Sequence, residues 1–306
     1  MGSWQADLLN LQLSVGVKPA LKRLKNINTI RNLLHLSDSS VGRASVPWGT
    51  ARETADIPQA EFEAEWINGG KQRVKKQVIL YFPGGAFLFR TPYMHAGLVS
   101  RLTKLTDTHA LMVHYRLAPE HPFPACLEDG LVAYNWLLEQ GFNADDIIVA
   151  GDSAGGGLAL STLLAISDSK LPMPKCAYLM SPLLDLSDSA PSRWKNAASD
   201  SSLPTPHQRA FNPRLAYLGE FDPRDPRASP IYGDFNGLPP IYLQVSDSEL
   251  LLDDSVRMAR RGHIYQTEIV VDVWHKLPHV WQLFPFLPES EQALQKAADF
   301  ILRHTH

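Results

Sequence analysis

Five residues, Gly151-Asp152-Ser153-Ala154-Gly155, place a serine between two glycines in "VAGDSAGGGLAL". An apolar run, "DIIVAG", precedes them and a small-residue helical run follows. That pattern predicts a tight strand-to-helix turn projecting the Ser153 hydroxyl at the carboxyl end of a sheet, with free N–H groups behind it. A serine hydroxyl is a weak nucleophile until a base takes its proton and a carboxylate orients that base. Downstream, "VSDSELLLDDS" offers Asp247, Glu249 and Asp253 after one apolar run, and "WHKLPHVWQLF" offers His275 and His279 after another. Ser, acid and His thus occur in chain order at three predicted strand ends, where open α/β sheets place their ligands. A fourth such end is "VILYFPGGAFLF", Val78 to Phe89. Two glycines directly after a buried strand imply a close backbone approach, and Pro83 stands in front of them.

The elements that must position these residues alternate strand with helix. "KKQVILYF", "ALMVHYRL" (110–117), 146–151, "KCAYLMSP", 241–245 and 269–274 read as strands. Amphipathic or apolar stretches at 126–141, closed by Gly141, and at 154–167, 250–262 and 289–303 read as helices. "FEAEWING" reads as a further strand, separated from "KKQVILYF" by a Gly-Gly turn at 69–70. The alternation implies a parallel sheet covered on both faces. Residues 1–45 have helical spacing. Residues 187–225 are polar, proline-rich and poor in strand signal, as an insertion with short helices would be, and such insertions often form lids.

Composition narrows the function. The 306 residues are 44% apolar and 20% charged with a formal net charge of −3, which gives no cue for a nucleic-acid or anionic-membrane partner. No apolar run approaches the roughly 18–20 residues of a spanning helix. The first residues lack the basic start and long apolar stretch of a signal peptide, and two cysteines are too few for a disulfide framework. A cytoplasmic location is the expectation. His275 and His279 have His-x-x-x-His spacing, but Pro278 between them argues against a shared helix face, so no metal is expected.

Together, "PGGAFLF", "HYRLAPEHPFPACLED", "GDSAGGGLAL", "ASPIYGDFNGLPPIYLQVSDSELLLDD" and "LPHVWQLF" resemble the bacterial hormone-sensitive-lipase-like (family IV) esterases, which are α/β-hydrolases. The resemblance covers about residues 75–300. It implies an α/β-hydrolase fold with a mostly parallel sheet (46–186 and 226–306) and a small helical cap from residues 1–45 and 187–225. It implies a serine esterase for short to medium acyl chains, with no cofactor, a small-molecule ester substrate, and a homodimer through an edge strand as an option of the architecture.

Carried over by residue, Ser153 is the nucleophile, His279 the base in preference to His275, and Glu249 the acid, with Asp247 the main rival. Gly84, Gly85 and Ala154 are the oxyanion donors, the glycines serving because a side chain would crowd the substrate carbonyl. Pro83 takes the place of the family's loop histidine, which implies rigidity substituted for hydrogen bonding. By the same resemblance Arg116, Glu120 and His121 order a loop. Asp152 is expected to make a supporting contact, and His95 to be a surface or packing residue. Two other functions stay open at this point. One is a binding protein on a hydrolase fold, supported by Pro83 alone, and the other is an amidase with the same triad.

Overall fold

The runs Val78–Phe82, Ile147–Asp152 and Cys176–Met180 are buried along their whole length at the centre of the sheet, where strands covered on both faces must be largely apolar. The computed structural model describes residues 2–68, 76–205, 207 and 213–305. Among them, eight strands form one sheet: β1 (Arg52–Ala55), β2 (Glu63–Ile67), β3 (Val78–Phe82), β4 (His109–His114), β5 (Ile147–Asp152), β6 (Cys176–Met180), β7 (Ile241–Ser246) and β8 (Ile269–Trp274). Their order is β1-β2-β4-β3-β5-β6-β7-β8. Neighbours from β4 to β8 are parallel, and β1 and β2 form an antiparallel margin. β3 and β5 lie side by side with Phe82 opposite Gly151, which puts the two glycine-rich turns next to each other.

The helices are α1 (Trp4–Gln12), α2 (Lys18–Arg23), α3 (Ile27–Ser37), α4 (Arg43–Ser45), α5 (Pro92–Thr106), α6 (Ala125–Glu139), α7 (Ser153–Asp168), α8 (Ser192–Lys195), α9 (Pro213–Leu218), α10 (Leu252–Tyr265) and α11 (Pro288–Thr305). Alternate β3 residues divide the core. Val78, Leu80 and Phe82 pack with side chains of α6, α7 and α10. Ile79 and Tyr81 pack with Leu98 and Leu102 of α5 and Leu294 and Ile301 of α11. The period-2 direction of strand side chains produces this split.

The sequence expectations hold for β4 to β8, for α6, α7, α10 and α11, and for short helices in the insertion. Gly141 follows α6 with φ +87°, a left-handed value suited to glycine. Two expectations change. The segments read as strands on either side of residues 69–70 do not pair with each other. β2 lies between β1 and β4, and β3 between β4 and β5. The Gly-Gly turn itself lies outside the described residues. The second change is α5, a 15-residue helix between β3 and β4 that is absent from the elements expected above. It buries His95, Leu98, Val99 and Leu102 against the sheet.

Among the described residues, no helix is long and apolar enough to cross a membrane.

Candidate active site

β5 runs into α7 through Ser153, whose φ of +52° is a left-handed value rarely adopted by a side-chain-bearing residue. The strain turns the hydroxyl out of the sheet, and the Leu183 amide holds the turn by donating to the Ser153 carbonyl at 2.9 Å. His279, after β8, stands with Nε2 2.9 Å from Ser153 Oγ. Its Nδ1 lies 2.5 Å from Glu249 Oε2, after β7. Glu249 is 1% exposed, and its other oxygen accepts the Ser246 amide and the Ser181 hydroxyl, each at 2.8 Å. A buried carboxylate that accepts from several donors can stay ionised.

Burial alone would lower the His279 pKa. The Glu249 carboxylate, with the charges of Asp200 and Asp152 behind it, outweighs that, so it is raised above the ordinary imidazole value.

The rival acid and rival base form a pair of their own. Asp247 Oδ2 lies 2.6 Å from His275 Nδ1, and Asp247 Oδ1 accepts the Lys276 amide, with the His275 side chain 56% exposed. Two residues of offset along one loop separate a buried acid from a solvated one. Asp253 accepts the Ser192 amide at 2.7 Å and so ties α10 to α8.

The turn after β3 differs from expectation in its detail. The Gly84 amide donates to Asp152 Oδ1 at 2.9 Å, so the expectation that Gly84 serves substrate as a donor is corrected: its N–H is engaged inside the protein. The amides of Gly85 and Ala86 have no acceptor among the described residues, and both residues line the cavity over Ser153. Ala154 lies in the first turn of α7, where N–H groups lack an intrahelical partner.

The glycines are required for reasons other than substrate crowding. A Cβ on Gly84 would stand 2.2 Å from Asp152 Oδ2. One on Gly85, at φ +136°, would stand 2.2 Å from the Phe89 carbonyl oxygen. Hydrogen bonding at Pro83 is not given up either. Its carbonyl accepts the Tyr115 hydroxyl at 2.7 Å.

Arg116 is structural as expected, bonding Asp129 through Nε and its amide, and Glu120 pairs with Arg31. Asp152 makes the supporting contact expected of it. Of the two places expected for His95, surface or packing, the structure takes the buried one and adds a contact to Asp152 that the expectation did not include. His95 is 2% exposed, with Nε2 3.3 Å from Asp152 Oδ2. Its helix carries only a weak signal: Leu98, Val99 and Leu102 share its buried face at helical spacing, but His95 itself and Thr103 interrupt the apolar stripe. Nothing in the sequence marks Ser181 or Tyr115 as partners of the site.

A cavity of about 310 Å³ opens above Ser153 and His279. Its walls include Ile30 and Leu34 of α3 and Leu203 and Tyr217 of the 187–225 segment. Tyr217 stacks on Phe87 with ring centroids 3.8 Å apart, which seats this segment on the turn after β3.

The sequence profile of the family described as alpha/beta hydrolase fold matches residues 79–283. An acetyl-hydrolase of Streptomyces hygroscopicus is 38% identical over 239 residues, 78% of this chain and 79% of that one. An esterase of Acinetobacter venetianus is 35% identical, covering 73% and 74% of the two chains. A solved esterase from the bacterial hormone-sensitive lipase (HSL) family superposes with a TM-score of 0.90 at 32% identity, over 100% of both chains.

Proposed function

The chain belongs to the α/β-hydrolase fold family, among its hormone-sensitive-lipase-like esterases, and we propose that Ser153, His279 and Glu249 carry its hydrolysis of carboxylic esters. The observation that carries the assignment is the unbroken hydrogen-bond chain from Ser153 Oγ through His279 to Glu249 at the floor of the cavity.

His279 takes the Ser153 proton as Oγ attacks the ester carbonyl. Glu249 holds the ring with Nδ1–H toward itself, so Nε2 is the basic nitrogen, and it stabilises the imidazolium that forms. The charge gathering on the carbonyl oxygen meets the amides of Gly85, Ala86 and Ala154. Donors placed where charge develops are worth roughly 3 kcal/mol each. The imidazolium returns its proton to the leaving alcohol. Water, deprotonated by the same ring, then hydrolyses the acyl-enzyme.

Residues 1–45 and 187–225 form the cap in this reading, because both supply walls of the cavity. A cavity of this size, at the small end for ligand sites, suits short to medium acyl chains. The name of the Streptomyces relative, acetyl-hydrolase, points the same way. The reading also includes a cytoplasmic location and a homodimer through β8, whose Val270 and Val273 are 39% and 48% exposed. Cell fractionation and sedimentation equilibrium test those two points.

The test of the site uses p-nitrophenyl esters from acetate to decanoate, with matched anilides, on wild type and Ser153→Ala. Ester turnover should peak at short chains and fall by about 10³-fold or more in the variant. A variant as active as wild type would remove Ser153 from the mechanism. Turnover of anilides at rates equal to esters would make the enzyme an amidase.

A further inference from the structure

His95 is buried beneath the turn that follows β3, and no step of ester hydrolysis described above uses it. Its ring nitrogens face acceptors on both sides. Nδ1 stands 2.8 Å from the Thr91 carbonyl oxygen and 3.1 Å from the Thr91 hydroxyl. Nε2 stands 3.2 and 3.3 Å from the two carboxylate oxygens of Asp152. A carbonyl oxygen only accepts, and so does an ionised carboxylate. With Asp152 ionised, the Thr91 carbonyl and the carboxylate call for a donor on each ring nitrogen, and a ring that donates twice is an imidazolium.

Asp152 is the complementary half. It is 2% exposed, and a carboxylate so buried stays charged only when paired and hydrogen-bonded. Its oxygens collect the His95 N–H, the Tyr81 hydroxyl at 2.7 Å and the Gly84 amide at 2.9 Å. Among the described residues, no basic side chain other than His95 is hydrogen-bonded to it.

We propose that His95 and Asp152 form a buried imidazolium–carboxylate pair that positions the Pro83–Phe87 turn. Pro83 holds the turn on one side through its carbonyl, which accepts the Tyr115 hydroxyl, but it has neither an N–H nor a polar side chain to offer Asp152. A second anchor comes from beneath, with the charged Asp152 drawing in the Gly84 amide. With that amide fixed, the next two, on Gly85 and Ala86, are left for substrate. His95 is then a positioning residue acting through Asp152 and the backbone.

The surroundings support the charge state. Burial alone would lower the His95 pKa, but Asp152 outweighs it and the value is raised. Burial would raise that of Asp152, but His95 and the other donors outweigh it and the value is lowered. The ionisable groups facing the pair from other elements are Tyr81 of β3, Tyr115 after β4, His279 after β8, and Asp38. Asp38 sits in the turn before α4, caps α5 through the Tyr93 and Met94 amides, and adds negative charge near His95.

The consequence for catalysis rests on the reading of Gly85 and Ala86 as oxyanion donors, so the test has two arms. In the first, protein with ¹⁵N-labelled histidine rings is examined by NMR at a pH of about 8, where an ordinary imidazole of pKa about 6.5 is neutral. The His95 signals are assigned by their loss in His95→Gln, or by contacts with the Tyr81 ring if that variant does not fold. Both ring nitrogens should be protonated, and Asp152→Asn should neutralise the ring. A neutral His95 in wild type at this pH overturns the ion pair.

In the second arm, folded His95→Gln should lower kcat on p-nitrophenyl butyrate by up to about 100-fold, the scale of one lost oxyanion donor. KM should stay within about twofold, because ground-state binding is untouched. An unchanged kcat overturns the positioning role. A fluorophosphonate probe separates the two readings: failure to label Ser153 in wild type sinks the triad assignment, while the NMR arm still decides the ion pair.

Discussion

Asp247 and Glu249 differ by one methylene and two positions, yet they occupy opposite environments. Glu249 turns inward to accept from Ser246, Ser181 and His279, and Asp247 turns outward to His275. The choice of acid has a pH signature. His279 must be neutral to act as a base, so kcat/KM rises with pH through its raised pKa. The sign for stability is opposite. A histidine with a raised folded pKa contributes stability that is full below the unfolded value of about 6.5 and is lost as pH climbs through the folded one. Glu249→Gln removes the carboxylate that raises the value. It should shift the acidic limb of the kcat/KM profile to lower pH and reduce kcat by about 10⁴-fold, as losing a triad carboxylate can. A limb that does not move would show that Glu249 is not the partner of His279. Asp247→Asn should leave the limb in place.

At the level of elements, the site depends on how α10 is tied to the segment after β6. Asp254 of α10 is fully buried, and its Oδ2 accepts from the Leu184 and Asp185 amides and from Arg193 of α8 at 2.9 Å. The Arg193 side chain is itself only 3% exposed. Removing one partner of a buried pair strands the other charge, so Asp254→Ala should cost about 3–5 kcal/mol in urea unfolding. A loss below about 1 kcal/mol, the size of a surface pair, would show the tie to be dispensable. Strands β4 to β8 were legible because each is a short apolar run closed by turn residues, and the helices between them because their apolar spacing is strong. α5 was passed over because its inward face mixes His95 and Thr103 with leucines, so its apolar stripe is broken. The order of β2 and β3 was not legible from two adjacent strand-like runs. Pairing depends on which partner buries which face, and β4 claims both strands.

Across the whole molecule, several side chains fasten the N-terminal segment to the rest of the chain, and Arg31 ties it to the loops after β3 and β4. Arg31 of α3 donates to the Leu88 and Ala118 carbonyls and makes two hydrogen bonds to Glu120. Those Arg31 hydrogen bonds hold the Glu120 pKa down to about 2. A depressed carboxylate contributes stability above its unfolded value and loses it only as pH falls toward the folded one, so this fastening persists through neutral and mildly acid conditions. If the segment is a cap wall, Arg31→Ala should loosen it. KM for p-nitrophenyl butyrate should rise about fivefold, the worth of roughly 1 kcal/mol, with a smaller change in kcat. A KM equal to wild type would separate the segment from substrate binding.

By itself the sequence determined the chemistry and the order of its parts. Ser153, His279 and the acidic loop are recognisable because a nucleophile needs a tight turn and its partners need strand ends, and both are local patterns. What only the tertiary structure decided was direction. Glu249 rather than Asp247 faces His279, the Gly84 amide faces Asp152 rather than the cavity, and His95, for which surface and packing places were both open, is buried beside Asp152. Each of these depends on contacts between segments from about 30 to 70 residues apart. Composition and spacing constrain which groups can meet, but the direction of a side chain or an amide is set by the neighbours that fill the space around it.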